Sequence, residues 1–433
     1  MQRWLVKFSL FLNYFVFAIL LNSVGTVILQ VQNTYGVSES AASVLEAFKD
    51  LPIAITSFLV ASFIARIGYR RAMLFALGFI GLVCLLMPQL PAFWMAKAMF
   101  AATGVGFALV KVSVFATLGL VTDSRREHVS LMNFLESFFM VGVLSGYFIF
   151  SAFVDDSDPS SLGWLNVYYL LAAMSAAAFL LLLVARIDES ALETDEPGSL
   201  SSEFLDMLRL CLRPLVLVFV VSAFLYVLIE QSIMSWLPTF NSRILNLAPS
   251  LSIEMASILA ASTALGRFSA GLLLKHFDWL RVLVVGLVTA AMLVLVALPL
   301  AGNAGGPPVT SWLEAPLAAY VFPLIGFLIA PVYPAINSVI LSALPTRQHA
   351  PMAGLIVVFS ALGGTSGSII TGTLFQAFGG RTAFYFSLLP ITLIIVALIL
   401  FKRLSDRYLN DRRLDNELDD KHDDKHLEPG GAT

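Results

Sequence analysis

The sequence predicts an all-α membrane protein, with twelve transmembrane helices arranged as two six-helix bundles related by pseudo-two-fold symmetry. Three observations lead there. The 433 residues are 58% hydrophobic and only 13% charged, where a soluble domain runs about 45–50% apolar and about 25% charged. With a mean hydropathy of +0.85, the apolar surplus has to face lipid. The apolar residues also fall in continuous runs of about 20, the length a helix needs to cross a hydrocarbon core about 30 Å thick and about twice that of a barrel strand. Finally, Ala61 to Arg71 (ASFIARIGYRR) and Gly271 to Arg281 (GLLLKHFDWLR) match loosely at an offset of about 210 residues, which points to two structural halves with a site between them.

Taken in order, the runs place spans near residues 8–30, 41–64, 72–90, 95–121, 130–153 and 164–185. Arg3 and Lys7 precede the first run as in a secretory signal, but the run is too long and has no small-residue cleavage box, so it reads as a retained span. Residues 187–208 form an acidic linker, with Asp188, Glu189, Glu193, Asp195 and Glu196 beside Pro197 and Gly198. It separates an amino-terminal bundle, 1–186, from a carboxy-terminal bundle, 209–402, whose spans lie near 212–236, 252–274, 280–300, 314–343, 350–375 and 382–401. Residues 403–433 read as a charged tail without fixed structure. Twenty of the 26 Lys and Arg lie on the side of both termini, and only Arg243 and Arg381 on the other. That asymmetry predicts cytoplasmic termini in a plasma membrane, a bacterial inner membrane.

Several classes are excluded. A net charge of −3 gives no basic excess for nucleic acid. Cys84 and Cys211 are too far apart for a disulfide framework, and the five histidines sit in loops or the tail, so neither a metal site nor a cofactor is expected. No span offers a Ser with His or a paired-Asp protease motif, which argues against an enzyme. A monomer in the bilayer, with a small solute and a proton as partners, is the expectation.

Ionisable side chains at bilayer depth cost several kcal/mol, so each is a functional candidate. Glu46 and Asp50 share one face of span 2, and carboxylates stacked that way favour taking up a proton. Lys49 lies on the same helix, where an i,i+3 pair with Glu46 and a working role are both open readings. Lys111 in span 4 has no acid in its own helix and needs one from elsewhere: Asp50, Glu46 or Glu136 of span 5. On this reading, protonation of Glu46, Asp50 and Glu136 releases Lys111 and biases the halves toward opening on the outer face. In span 7, Glu230 and Gln231 stand before Trp236 and Pro238, which mark an outer interface. A carboxylate, an amide and an indole together suit a polyol. Asn22, Gln30, Tyr333 and Asn337 add neutral hydrogen-bonding groups, and Arg267 of span 8 is a candidate inner gate. Pro331 and Pro334, like the Gly363-Gly364-Thr365-Ser366-Gly367 run, are expected to break their spans around a cavity.

The loop Ala65-Arg66-Ile67-Gly68-Tyr69-Arg70-Arg71 resembles the signature of the major facilitator superfamily between helices 2 and 3, with Ala65 in place of the usual acid. Glu230 to Phe240 (EQSIMSWLPTF), Gly266-Arg267-Phe268, Tyr333-Pro334 and Gly363-Gly364 resemble the fucose, glucose and galactose proton symporters. The resemblance implies a sugar cavity between two bundles, alternating access driven by protons, and a gating role for Arg66, Arg70 and Arg71. The first span departs from the fucose-type pattern, because Asn22 to Thr26 holds no carboxylate. Coupling would then fall to Glu46, Asp50, Lys111 or Glu136. A proton-driven exporter of drugs or metabolites shares the architecture, but span 5 offers Gly142 and Gly146 without the Pro and paired Gly of the antiporter signature. An anionic or amino-sugar solute also stays open.

Overall fold

The computed structural model describes residues 2–61, 64–122, 124–185, 187, 200–301, 307–345 and 348–426. Its helices build twelve crossings. The first is α1 (Gln2–Asn22) and α2 (Val24–Tyr35), kinked at Ser23, whose hydroxyl donates back to the Leu20 carbonyl at 2.8 Å. The short α3 (Glu39–Ala42) leads into α4 (Val44–Ala61), and α5 (Ile64–Ile67) turns into α6 (Tyr69–Gln89) at Gly68. Gly68 sits at φ 92°, a conformation L side chains rarely adopt, which is why the signature loop needs glycine there. α7 (Phe93–Val121), α8 (Arg125–Ser151) and α9 (Val167–Val184) complete the first bundle.

An amphipathic α10 (Leu200–Cys211) precedes α11 (Pro214–Arg243), α12 (Pro249–Leu273) and α13 (Trp279–Leu300). The tenth crossing is broken into α14 (Ala318–Val321), α15 (Ile325–Ile329) and α16 (Val332–Ala343), with Pro323 and Pro331 at the joints. α17 (His349–Phe378), α18 (Gly380–Tyr385) and α19 (Leu388–His426) follow. Eleven crossings are long and apolar enough to span a membrane by composition. The twelfth, α4, has its apolar run interrupted by Glu46, Lys49 and Asp50.

Two elements differ from expectation. The Gly363 to Gly367 run does not break its span: α17 is continuous through it. Those glycines serve packing, since a Cβ at Gly363 or Gly367 would run into the backbone oxygens of Phe224 or Leu228 in α11. α19 also runs helically to His426, through residues expected to lack structure. Most of the linker lies outside the described residues.

The two ends of the bundle differ in charge. Lys7, Arg70, Arg71, Arg213 and Lys402 mark a basic end; Glu39, Asp155, Asp156 and Glu314 mark the opposite, acidic end. Contacts between the halves run through α2 with α11, α4 with α17, and α8 with α12. The described hydrogen bonds that cross between the halves cluster toward the acidic end. They join Gln32 to Thr239 (3.4 Å), Asn33 to Arg243 (3.0 Å), the Ser40 amide to Gln376 (3.2 Å), Asp156 to Ser250, and Ser151 to Glu254 (3.0 Å). Toward the basic end Lys7 bonds Glu127 at 2.7 Å, Arg213 bonds Gln348 at 3.1 Å and Lys402 bonds Asp278 at 2.5 Å, each pair within one half. The described bonds thus tie the halves together at the acidic end.

Candidate transport site

The most enclosed ionisable group lies where the seal begins. Glu46, Lys49 and Asp50 are spaced so that all three project from one side of α4, and they are 0%, 5% and 9% exposed. The Lys49 ammonium hydrogen-bonds Glu46 Oε1 and lies 3.4 Å from Asp50 Oδ1. Glu46 Oε2 accepts the Ser235 hydroxyl of α11, in the other half, at 2.7 Å. Gly364 of α17 closes over Asp50 so tightly that a Cβ there would meet the carboxylate oxygen and the Gln231 side chain. Tyr147 of α8 also lies within electrostatic reach of Lys49. Two carboxylates and one ammonium leave a charge of −1 in a buried seam, and one proton makes the set neutral.

Toward the basic end from the seal, each half carries a polar cluster of its own. Outward-facing α8 residues separate by chemistry: Phe134, Phe138 and Val141 on the lipid side, Asn133, Glu136 and Ser137 on another. Tyr14 of α1 donates its phenol to Glu136 Oε1 at 3.2 Å, and Lys111 of α7 feels the charge of Glu136. In the second half, Glu230 accepts the Tyr226 phenol at 2.8 Å and pairs with Arg267 Nη2 at 3.1 Å. Tyr226 stacks on Tyr333 with centroids 5.5 Å apart, and the Tyr333 hydroxyl meets Ser360 Oγ at 2.9 Å. Asn337, one turn along α16, leaves its Oδ1 without a partner among the described residues. Each half thus sets a tyrosine hydroxyl against a carboxylate beside a cation.

The sequence model of the Major Facilitator Superfamily matches residues 9–368. The chain belongs to that superfamily. It is a transporter and not an enzyme. A bacterial homologue of the human lysosomal transporter Spinster, inward-facing and unoccupied, is 14% identical over 95% of this chain and 98% of that one, with a TM-score of 0.72. A D-xylose-proton symporter is 12% identical over 92% and 97% of the two chains, TM-score 0.67. FucP, in its outward conformation, is 15% identical over 91% and 98%, TM-score 0.58. No curated protein matches the sequence.

In this transporter the residues predicted from sequence divide into distinct groups. Glu46 and Asp50 do come together, but with Lys49; no described ion pair joins either to Lys111. Of the acids expected to hold Lys111, Glu136 acts on it without a described ion pair, while Glu46 and Asp50 are paired with Lys49. Glu230, Arg267, Tyr333 and Asn337 share the second half's cluster, where Arg267 is held by Glu230 of its own half rather than bridging the two. Trp236 is not exposed at an interface: it is 0% exposed, its indole N–H donates to the Ser368 carbonyl at 3.0 Å, and it braces α11 against α17 instead of facing solute. Gln231 is half-buried beside Gly364, at the rim of the seam.

Asn22 spends its amide on the Ala18 carbonyl at 2.9 Å, and Gln30 is 1% exposed with its Nε2 unpartnered among the described residues. Arg70 donates to the carbonyls of Leu182 and Leu183, capping α9 within its own half. Arg71 is exposed, and the Arg66 side chain lies outside the described residues. Sequence reasoning missed Ser235, Tyr14, Tyr226 and Glu254. The tyrosines had a signal, since they are separated by nearly the offset of the internal repeat. A groove of about 700 Å³ between α1 and α8, lined by Trp4, Lys7, Phe8, Phe11 and Phe134 among others, belongs to the first half alone and holds none of the candidate residues.

Proposed function

We propose that this transporter moves a small polyhydroxylated solute of monosaccharide size together with a proton, inward across a plasma membrane with its basic end in the cytoplasm. The observation that carries the reading is the Glu46, Lys49 and Asp50 set sealed between the halves. A buried set that is neutral only when protonated makes sealing of the acidic end conditional on a proton. Opening at the acidic end exposes the set to the outer solution, where it loads a proton. The seam then closes over the neutral set, with solute held below it by Glu230, Tyr333 and Asn337. Asp50, one turn nearer the basic end than Glu46 and the most exposed of the three, is the exit for the proton into the inner cavity. Its departure leaves −1 in the seam and favours reopening on the outer side, which resets the cycle.

The proton symport named for the D-xylose relative supports this direction. Proteoliposomes loaded with a pH dye test it. A transported sugar should acidify the lumen as it enters, and an inward proton gradient should drive its accumulation. Saturable uptake with no proton movement would refute the coupling.

A further inference from the structure

Resting on that reading of the cavity, we infer that the solute carries a carboxylate and that Lys111 is its receptor, so that the substrate is an acid-bearing polyol rather than a neutral sugar. The other cations deep in the spans are committed: Lys49 to Glu46 and Asp50, Arg267 to Glu230. Lys97 reaches out at the acidic end, over the rings of Phe93 and Phe48. Lys111 differs. It stands about 15 Å along α7 from the basic end, mid-depth in the membrane, and its side chain is exposed on the Glu136 side of the first half. No hydrogen bond or ion pair among the described residues reaches its Nζ. Its neighbours are the rings of Phe107 and Phe115, with centroids at 5.8 and 6.0 Å.

Two phenyl faces stabilise the ammonium without neutralising it, so the charge is available to an anion once water is displaced. The near acid, Glu136, is oriented by the Tyr14 phenol and exposed on the same side. It repels a second carboxylate but accepts hydrogen bonds from hydroxyls. A ligand with one carboxylate for Lys111 and neighbouring hydroxyls for Glu136 satisfies both groups at once.

Thermal-shift and uptake measurements on the whole transporter with gluconate, glucuronate, glucose and alanine test this. We expect stabilisation and saturable uptake with gluconate or glucuronate and neither with glucose. Lys111→Gln should raise KM for the acid at least tenfold with kcat little changed, and Lys111→Arg should recover most of the affinity. Glucose transported as well as the acids, with KM untouched by Lys111→Gln, would overturn the inference while leaving proton coupling intact. A preference for alanine over both sugar acids would overturn the polyol assignment, because alanine brings its own carboxylate to Lys111 and an ammonium to Glu136. Acid binding that depends on Lys111 but moves no protons would uphold the inference and sink the coupling scheme instead.

Discussion

Replacing Lys49 with Met removes the ammonium and leaves Glu46 and Asp50 facing each other in the seam. Glu46 keeps the Ser235 hydroxyl, and Asp50 keeps Gly364 close against its carboxylate. Removing one partner of a buried ion pair costs about 3–5 kcal/mol, and that penalty falls on the state in which the seam is shut. Opening the acidic end hydrates both carboxylates and recovers most of it. At about 1.4 kcal/mol per tenfold, the ratio of outer-open to outer-closed molecules should rise by about 10²- to 10⁴-fold at alkaline pH, where no proton relieves the repulsion. Spin labels on Ser40→Cys and Gln376→Cys, which face each other across the seal, report it once Cys84 and Cys211 are replaced by Ser. The label separation should lengthen in Lys49→Met and return when Glu46→Gln and Asp50→Asn are added. An unchanged distribution in Lys49→Met at alkaline pH would refute the reasoning.

Three further outcomes follow from the packing. Trp236→Phe loses the indole bond to Ser368 while keeping the ring, and should cost about 1 kcal/mol, read as a lower melting temperature of purified protein and a looser seam in the same spin-label pair. Gly367→Leu forces a side chain into the α11 backbone at Leu228; surface expression should collapse, whereas Gly271→Leu, where a Cβ meets open space, should express normally. Asp278 caps α13 through the Arg281 amide and, outside the membrane, its carboxyl is held below the ordinary range chiefly by the hydrogen bond from Lys402. A depressed carboxyl contributes stability above its unfolded pKa that is lost as pH falls through the folded value. Asp278→Ala should therefore lower stability by about 1 kcal/mol near neutrality, with the gap to wild type closing on strong acidification.

Composition, run length and cation asymmetry made the architecture legible, because lipid imposes its demands on every span alike. α4 was read as a crossing despite its charges, and an uninterrupted apolar run does follow Asp50. The glycines of α17 misled for a physical reason: a helix glycine reports either a break or a close neighbour, and only the position of α11 decides which. The acids of the site were visible as unexplained charges, but their partners were not. Lys49 was in view as a local pair with Glu46, while the claim of Ser235 on the same carboxylate depends on how two helices from different halves meet. Trp236 looked interfacial by its place near Pro238, and its burial against Ser368 arises from the same long-range packing.

The most direct test of the account is Asp50→Asn, a near-isosteric change that keeps the side chain under Gly364 but cannot release a proton. In proteoliposomes it should exchange labelled solute for unlabelled solute across the membrane at close to the wild-type rate, and lose accumulation driven by an inward proton gradient. Full gradient-driven accumulation by Asp50→Asn would contradict the assignment of the proton site to this seam.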